Sequence, residues 1–370
     1  MRRLARPGRR SLRSDDEGAV ALLAAVLFGF GVILAMAALT VDVGRLYAER
    51  RQLQNGADAA ALAVAQDAAR NCASGSCAPG ARAQSYANAN SKDGASAVVE
   101  VCGVGWAAVS GCSAQSTPAI TQCPAVTGGS SVWVRVRTAT RTSGGSTLLP
   151  PVFARALAGN NGYTGTRVFA CAEAGLAAPA GLTTLPLALS LCEWNRDTAG
   201  GTRYAPPPPY AAYPLSYEHA IPFHADPAAS PCRSAPFGGT LPGGFGWLGT
   251  GGGCQATISD RTWVRAGFGS SPPGGCTTAL SNALGSVVFL PVYDQTTGNG
   301  SGQFHVSGFA AFFLTGYRFP GRQAGSIASG NRYCSPLQSC VYGWFTQALA
   351  PPGGAAGGTP RGSSVVKLIG

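Results

Sequence analysis

Only three histidines occur in 370 residues, His219, His224 and His305, which leaves few candidates for the base of a nucleophilic site. There is no G-x-S-x-G elbow and no G-x-x-x-x-G-K-[ST] loop, so neither a hydrolase nucleophile turn nor a Walker phosphate cradle is encoded. Glycine runs such as Gly251 to Gly253 have no helix after them and read as loops. No C-x-x-C occurs, which argues against a zinc ribbon. Charged residues make up only 12% of the chain, about half the usual share, so a cytosolic enzyme with a densely charged surface is a poor match. Lysine is nearly absent, with Lys92 and Lys367 alone among 27 basic residues. No fixed-period repeat is present. The protein is therefore not expected to be an enzyme, and no cofactor is expected.

The strongest local feature is the run from Gly18 to Val41, GAVALLAAVLFGFGVILAMAALTV, without one charge. As a helix it measures roughly 36 Å, enough to cross a hydrocarbon core of about 30 Å. Arg2, Arg3, Arg6, Arg9, Arg10 and Arg13 precede it, and basic flanks stay cytoplasmic. Ala35, Met36 and Ala37 form an A-x-A-like cleavage site, but the run exceeds the usual h-region of about 7 to 15 residues. The segment is read as a retained anchor. This predicts a single-pass cytoplasmic-membrane protein with its N-terminus cytoplasmic and its C-terminal region extracytoplasmic. All twelve cysteines lie after the apolar run, which fits disulfides in an oxidising exterior. Short loops point to Cys72 with Cys77, Cys102 with Cys112, and Cys334 with Cys340.

Beyond the membrane, Leu46, Leu53, Ala57, Ala60, Ala61, Val64 and Ala68 recur at spacings of three, four and seven, a helical stripe rich in alanine. Such a stripe packs against its own domain or another helix. Within the apolar run, Ala25 with Gly29 and Gly31 with Ala35 are small-xxx-small pairs. A short helix is predicted over Ala81 to Asn90, a brief one over Leu148 to Ala158, and strands over Ala97 to Cys102, Ser131 to Thr138 and Thr166 to Ala174. Val132, Val134 and Val136 alternate with Trp133, Arg135 and Arg137, the pattern of one buried and one exposed sheet face.

From about Pro179 the chain is rich in Gly, Pro and aromatics, with strand-like runs at Thr262 to Phe268, Ser286 to Tyr293, Gln303 to Arg318, Val341 to Leu349 and Ser363 to Ile369. Ala205 to Pro214, APPPPYAAYP, reads as a stiff polyproline surface segment. In YEHAIPFHAD, Glu218, His219, His224 and Asp226 are metal-ligand types, but the histidines lie five apart around Pro222, not four apart on a helix; a solvated loop is expected and no metal. After the apolar run, 21 basic residues face 13 acidic ones, a balance suited to anionic cell-wall polymers or lipid headgroups. No motif points to nucleic acid.

The stretch from Glu17 to Gln66, with VDVGRLY at Val41 to Tyr47 and RRQLQNGADAAALA at Arg50 to Ala63, resembles the N-terminal region of TadG-like Flp (tight adherence) pilus-assembly proteins, a pattern shared with TadE-like ones. Weaker similarity runs through Tyr86, Ala87 and Asn90 and FARALAG at Phe153 to Gly159. The resemblance implies an envelope-anchored component of a Tad/Flp pilus-assembly system, acting by contact with other pilus-assembly or pilin-like membrane proteins and with the lipid bilayer. Larger relatives carry a von Willebrand A domain with D-x-S-x-S, which is not found here, and Leu23 stands where prepilin-like members have glutamate. The alternative is a cell-surface adhesin, or wall-polymer-binding module, on a Tad-like anchor.

The expected architecture is α+β. A cytoplasmic basic tail (1–17), a transmembrane helix (18–41) and an amphipathic stalk helix (42–70) lead into a small α/β pilin-like unit (71–178). A disulfide-rich antiparallel β domain completes the chain (179–370). The helix contact is assigned to Val43, Leu46, Leu53, Ala57, Ala60 and Val64, with no catalytic, cofactor-binding or metal residues.

Overall fold

A computed structural model describes residues 15–71, 78–105, 109–112, 132–153, 164–224, 232, 243–249, 253–267, 269–297, 302–325, 334, 338–351 and 354–369. One uninterrupted helix, α1 (Asp15–Asn71), opens the fold. Its 57 residues span about 85 Å. Within it an 18-residue window has mean hydropathy 2.7 and is wholly unburied, so the apolar side chains of its first half project bare from the rest of the molecule.

The second half of α1 is core. Ala57, Ala60, Ala61, Val64 and Ala65 pack on Val134, Val136, Ala172 and Ala174. Those residues lie on one face of a five-stranded sheet. In chain order its strands are β1 (Ala97–Val104), β2 (Trp133–Ala139) and β3 (Phe169–Ala177), with β14 (Ala348–Leu349) and β16 (Ser363–Leu368) from the end of the chain. The spatial order is β1-β2-β3-β16-β14, antiparallel except for β14 against β16. Small side chains let the helix lie close to the sheet. A second helix, α2 (Pro79–Ala89), crosses α1 at Gly56, where a Cβ would stand 3.2 Å from the Ala87 carbonyl oxygen.

The opposite face differs from the pattern in the sequence. Arg135 is buried, and its guanidinium is paired with the fully buried carboxylate of Glu173, which lies opposite it on β3. The same guanidinium lies 5.5 Å from the Trp133 ring centre, and that of Arg137 lies 4.6 Å from the Phe169 ring centre. Alternation identifies the two faces correctly; a cross-strand carboxylate and aromatic neighbours make the charged one a packed face.

The larger, β-rich part is built on a hairpin of β10 (Ser286–Thr297) and the 17-residue β11 (Gln303–Phe319). Around it an eight-stranded sheet adds β5 (Leu187–Ser190), β6 (His219–Pro222), β7 (Phe245–Trp247), β9 (Trp263–Arg265), β12 (Arg322–Ala324) and β13 (Cys340–Thr346). All its pairings are antiparallel but one, β5 beside β10. A small sheet of β4 (Pro179–Thr184), β8 (Ala256–Ser259) and β15 (Ala355–Ala356) lies beside it. Strand β11 is buried almost throughout because both its faces are covered: Ala310, Phe312 and Leu314 belong to one cluster, Phe313 to another. Its apolar run is continuous for that reason.

The proline-rich stretch lies at the surface, where most of its residues are exposed, and is held down over the sheet. Ala205 is buried and bridges to Thr346. Tyr210 accepts a hydrogen bond from Trp344 Nε1 at 3.0 Å and lies edge-on to Phe313 at 5.1 Å. The prolines stiffen the backbone, and the tyrosines between them fix it to the sheet.

The chain then returns to its first sheet. At Gly308 (φ +96°) a Cβ would stand 2.5 Å from the Thr359 carbonyl oxygen, so glycine is what lets the tail cross β11. Arg361 secures the crossing: Nε donates to Ser307 O at 3.0 Å, and its guanidinium lies 4.6 Å from the Trp194 ring centre. Trp194 belongs to a short helix, α3 (Leu191–Thr198), and donates Nε1 to Arg361 O. Past this point β16 pairs with β3, Val365 opposite Ala177 through Leu368 opposite Ala174.

Four disulfides link described residues: Cys102–Cys112, Cys192–Cys232, Cys254–Cys276 and Cys334–Cys340. Cys171 is also disulfide-bonded. The expected Cys72–Cys77 pair lies outside the described residues, as do residues 154–158 of the expected Leu148–Ala158 helix. Its described part, Leu148–Phe153, is not helical: Leu149 bridges to Thr166 instead, and the two prolines after it keep the chain extended.

Candidate functional site

The feature that sets this chain apart from a soluble α+β protein is the passage of α1 from bare apolar helix to core. Asp42 stands at the passage, directly after the uncharged run, and is buried. A carboxylate there needs hydrogen-bond donors. The backbone supplies them: Val152 N–H donates to Oδ1 at 2.7 Å and Phe153 N–H to Oδ2 at 3.0 Å. Arg45 Nη1 donates to Pro150 O at 3.3 Å, clasping the same loop one turn further along. Pro150 and Pro151 hold that loop extended.

Above the clasp, polar groups on α1 tie it to its own domain. Thr138 donates to Leu53 O at 2.9 Å, Gln54 Nε2 to Cys171 O at 2.7 Å, and the Lys92 N–H to Gln52 Oε1 at 2.9 Å.

The six residues assigned to a helix contact divide along this axis. Leu53, Ala57, Ala60 and Val64 are buried, the last three within the chain's own helix–sheet core. Leu46 is half-buried, and Val43 is 40% exposed. The alanine stripe is thus occupied from within the molecule, and the free apolar surface of α1 lies at Val43 and below. Sequence reasoning misses Asp42, Val152 and Phe153. One signal is there to find: an acid at the edge of an apolar span must acquire donors from elsewhere in the chain.

The histidine-bearing stretch does not form one site. Glu218 is buried and accepts from Thr315 Oγ1 at 2.6 Å. His219 Nδ1 lies 3.7 Å from Asp197 Oδ1, and burial lowers its pKa. His224 sits between the rings of Phe223 (4.3 Å) and Phe304 (5.6 Å), where desolvation pushes its pKa down to about 4. Asp226 lies outside the described residues. Elsewhere His305 Nδ1 is 2.6 Å from Asp294 Oδ1, with the Trp263 ring 5.1 Å away. Among the described residues no three His, Cys, Asp or Glu side chains gather into a metal-binding group.

The architecture is a long N-terminal helix, apolar enough in its first half to cross a membrane, followed by a disulfide-bonded α+β part. The family model described as putative Flp pilus-assembly TadE/G-like matches residues 18–67. That segment covers the bare span, the Asp42 passage and most of the buried stripe. No curated protein and no solved structure matches the chain.

Proposed function

We propose that this protein is a membrane-anchored, extracytoplasmic component of a Tad/Flp pilus-assembly system that acts by contact with other pilus-assembly or pilin-like membrane proteins and not by catalysis. The observation that carries the reading is the TadE/G-like match of residues 18–67 falling on a helix that is bare in its first half and core in its second. The arginine-rich tail supports an N-terminus in the cytoplasm, and the disulfides support an exterior location for the domains beyond the span. Partner contact then falls to the surface of α1 that its own domain leaves open, the lipid-embedded side chains together with Val43 and the half-buried Leu46.

The test is deletion and complementation in the native cell, with pili counted by electron microscopy. Deletion is expected to abolish pili, the intact chain to restore them, and Val43→Arg to restore few while the protein persists at normal level. Normal piliation after deletion would overturn the proposal.

A further inference from the structure

The Pro150–Phe153 loop carries two exposed apolar residues, Val152 (49% exposed) and Phe153 (45% exposed). Their backbone is fixed by Asp42, the first residue after the uncharged run. Side chains on an α-helix lean toward its N-terminus. The Asp42 carboxylate therefore reaches back toward the apolar segment and holds the loop level with its end, where Val41 is also exposed.

We propose that this loop is a second membrane contact: Val152 and Phe153 enter the headgroup and upper acyl region of the leaflet from which α1 emerges. The proposal rests on reading residues 18–41 as a membrane anchor. The occupant of the patch is lipid because the patch continues the surface of that anchor. The chemistry around it is interfacial as well: an aromatic ring, an aliphatic side chain and the Arg45 guanidinium for phosphates. A helix crossing alone is free to tilt and spin. A loop clasped to the helix at Asp42 and Arg45 and dipped into the same leaflet fixes which side of the exterior faces the membrane.

The test uses the full chain in vesicles of phosphatidylethanolamine and phosphatidylglycerol, with benzoyl-phenylalanine placed singly at Leu34, Phe153 or Trp263 and lipid adducts read by mass spectrometry. Adducts are expected at Leu34 and Phe153 and not at Trp263, an exposed position in the β-rich part. Adding Asp42→Asn should lower the yield at Phe153 severalfold and leave that at Leu34 unchanged. Adducts at Leu34 without any at Phe153 would overturn the loop contact and leave the anchor standing; absence at both would overturn the anchor as well. Protein adducts in place of lipid at Phe153, or a yield there indifferent to Asp42→Asn, would also overturn the inference.

Discussion

Of the four bridges between described residues, Cys192–Cys232 and Cys334–Cys340 close the longest and shortest loops and allow a quantitative test of what the disulfides do. Their sequence separations are 40 and 6 residues. If a bridge stabilises by restricting the unfolded chain, those loops give about 3.9 and about 2.2 kcal/mol at 25 °C, a difference of about 1.7 kcal/mol. Loss of packed sulfur largely cancels in the comparison, since Cys232, Cys334 and Cys340 are all buried. The perturbations are Cys192→Ala with Cys232→Ala, and Cys334→Ala with Cys340→Ala. The assay is urea unfolding of the full chain in detergent micelles, monitored by the fluorescence of the buried Trp247 and Trp344. With a slope of about 2–3 kcal/mol per molar urea, the two midpoints should separate by about 0.6–0.8 M, the 40-residue variant unfolding first. Coincident midpoints, or the reverse order, would refute the chain-entropy reasoning. Packing around each bridge would then be what matters.

Ala57→Arg places a guanidinium in the helix–sheet core and should cost more than about 3 kcal/mol, whereas the exposed Val43→Arg should stay within about 0.5 kcal/mol of the parent; thermal unfolding with limited proteolysis distinguishes them. The folded-state pKa of His224, about 4, lies below its ordinary value of 6.5, so the unfolded chain binds the proton more readily between those values. Stability should therefore be complete above about pH 6.5 and decline as pH falls toward about 4, by on the order of 2–3 kcal/mol. His224→Phe should remove that dependence from a urea series run across pH. Gly308→Ala forces a Cβ onto the Thr359 carbonyl at positive φ and should cost about 2 kcal/mol or more, with faster amide exchange in β16, because the tail can no longer cross β11 as it does.

What the sequence discloses is local. The apolar run and the alanine stripe repeat over many turns, so α1 can be read with its change of character near Val41. The hairpin β10–β11 is readable because two dense apolar runs sit side by side in the chain. The hidden features depend on partners distant in sequence. A helical stripe announces that Ala57 and Ala60 are packed but not that β2 and β3 pack them. Alternation separates Arg135 from Val134, yet only the register places Glu173 opposite Arg135. Asp42 and Val152 are 110 residues apart, and nothing within either segment names the other.

The same distinction bears on how the molecule transmits contact. A stalk helix merely leaving the membrane would let the exterior swing, and the alanine stripe would be open to a partner helix. Here Leu53, Gln54 and Gln52 are bonded to β2, β3 and the turn after α2, the stripe is filled by the sheet, and Asp42 holds a loop from the connection between β2 and β3. Strand β16, coming from the far end of the chain, closes against β3, so the β-rich part is joined to the sheet on which α1 lies. Helix α1, the first sheet and the tail are therefore tied to one another by contacts within the chain. On the proposed reading, a partner that grips the bare half of α1 acts on a helix whose other half is packed in the domain, whereas the stripe is already filled by the sheet.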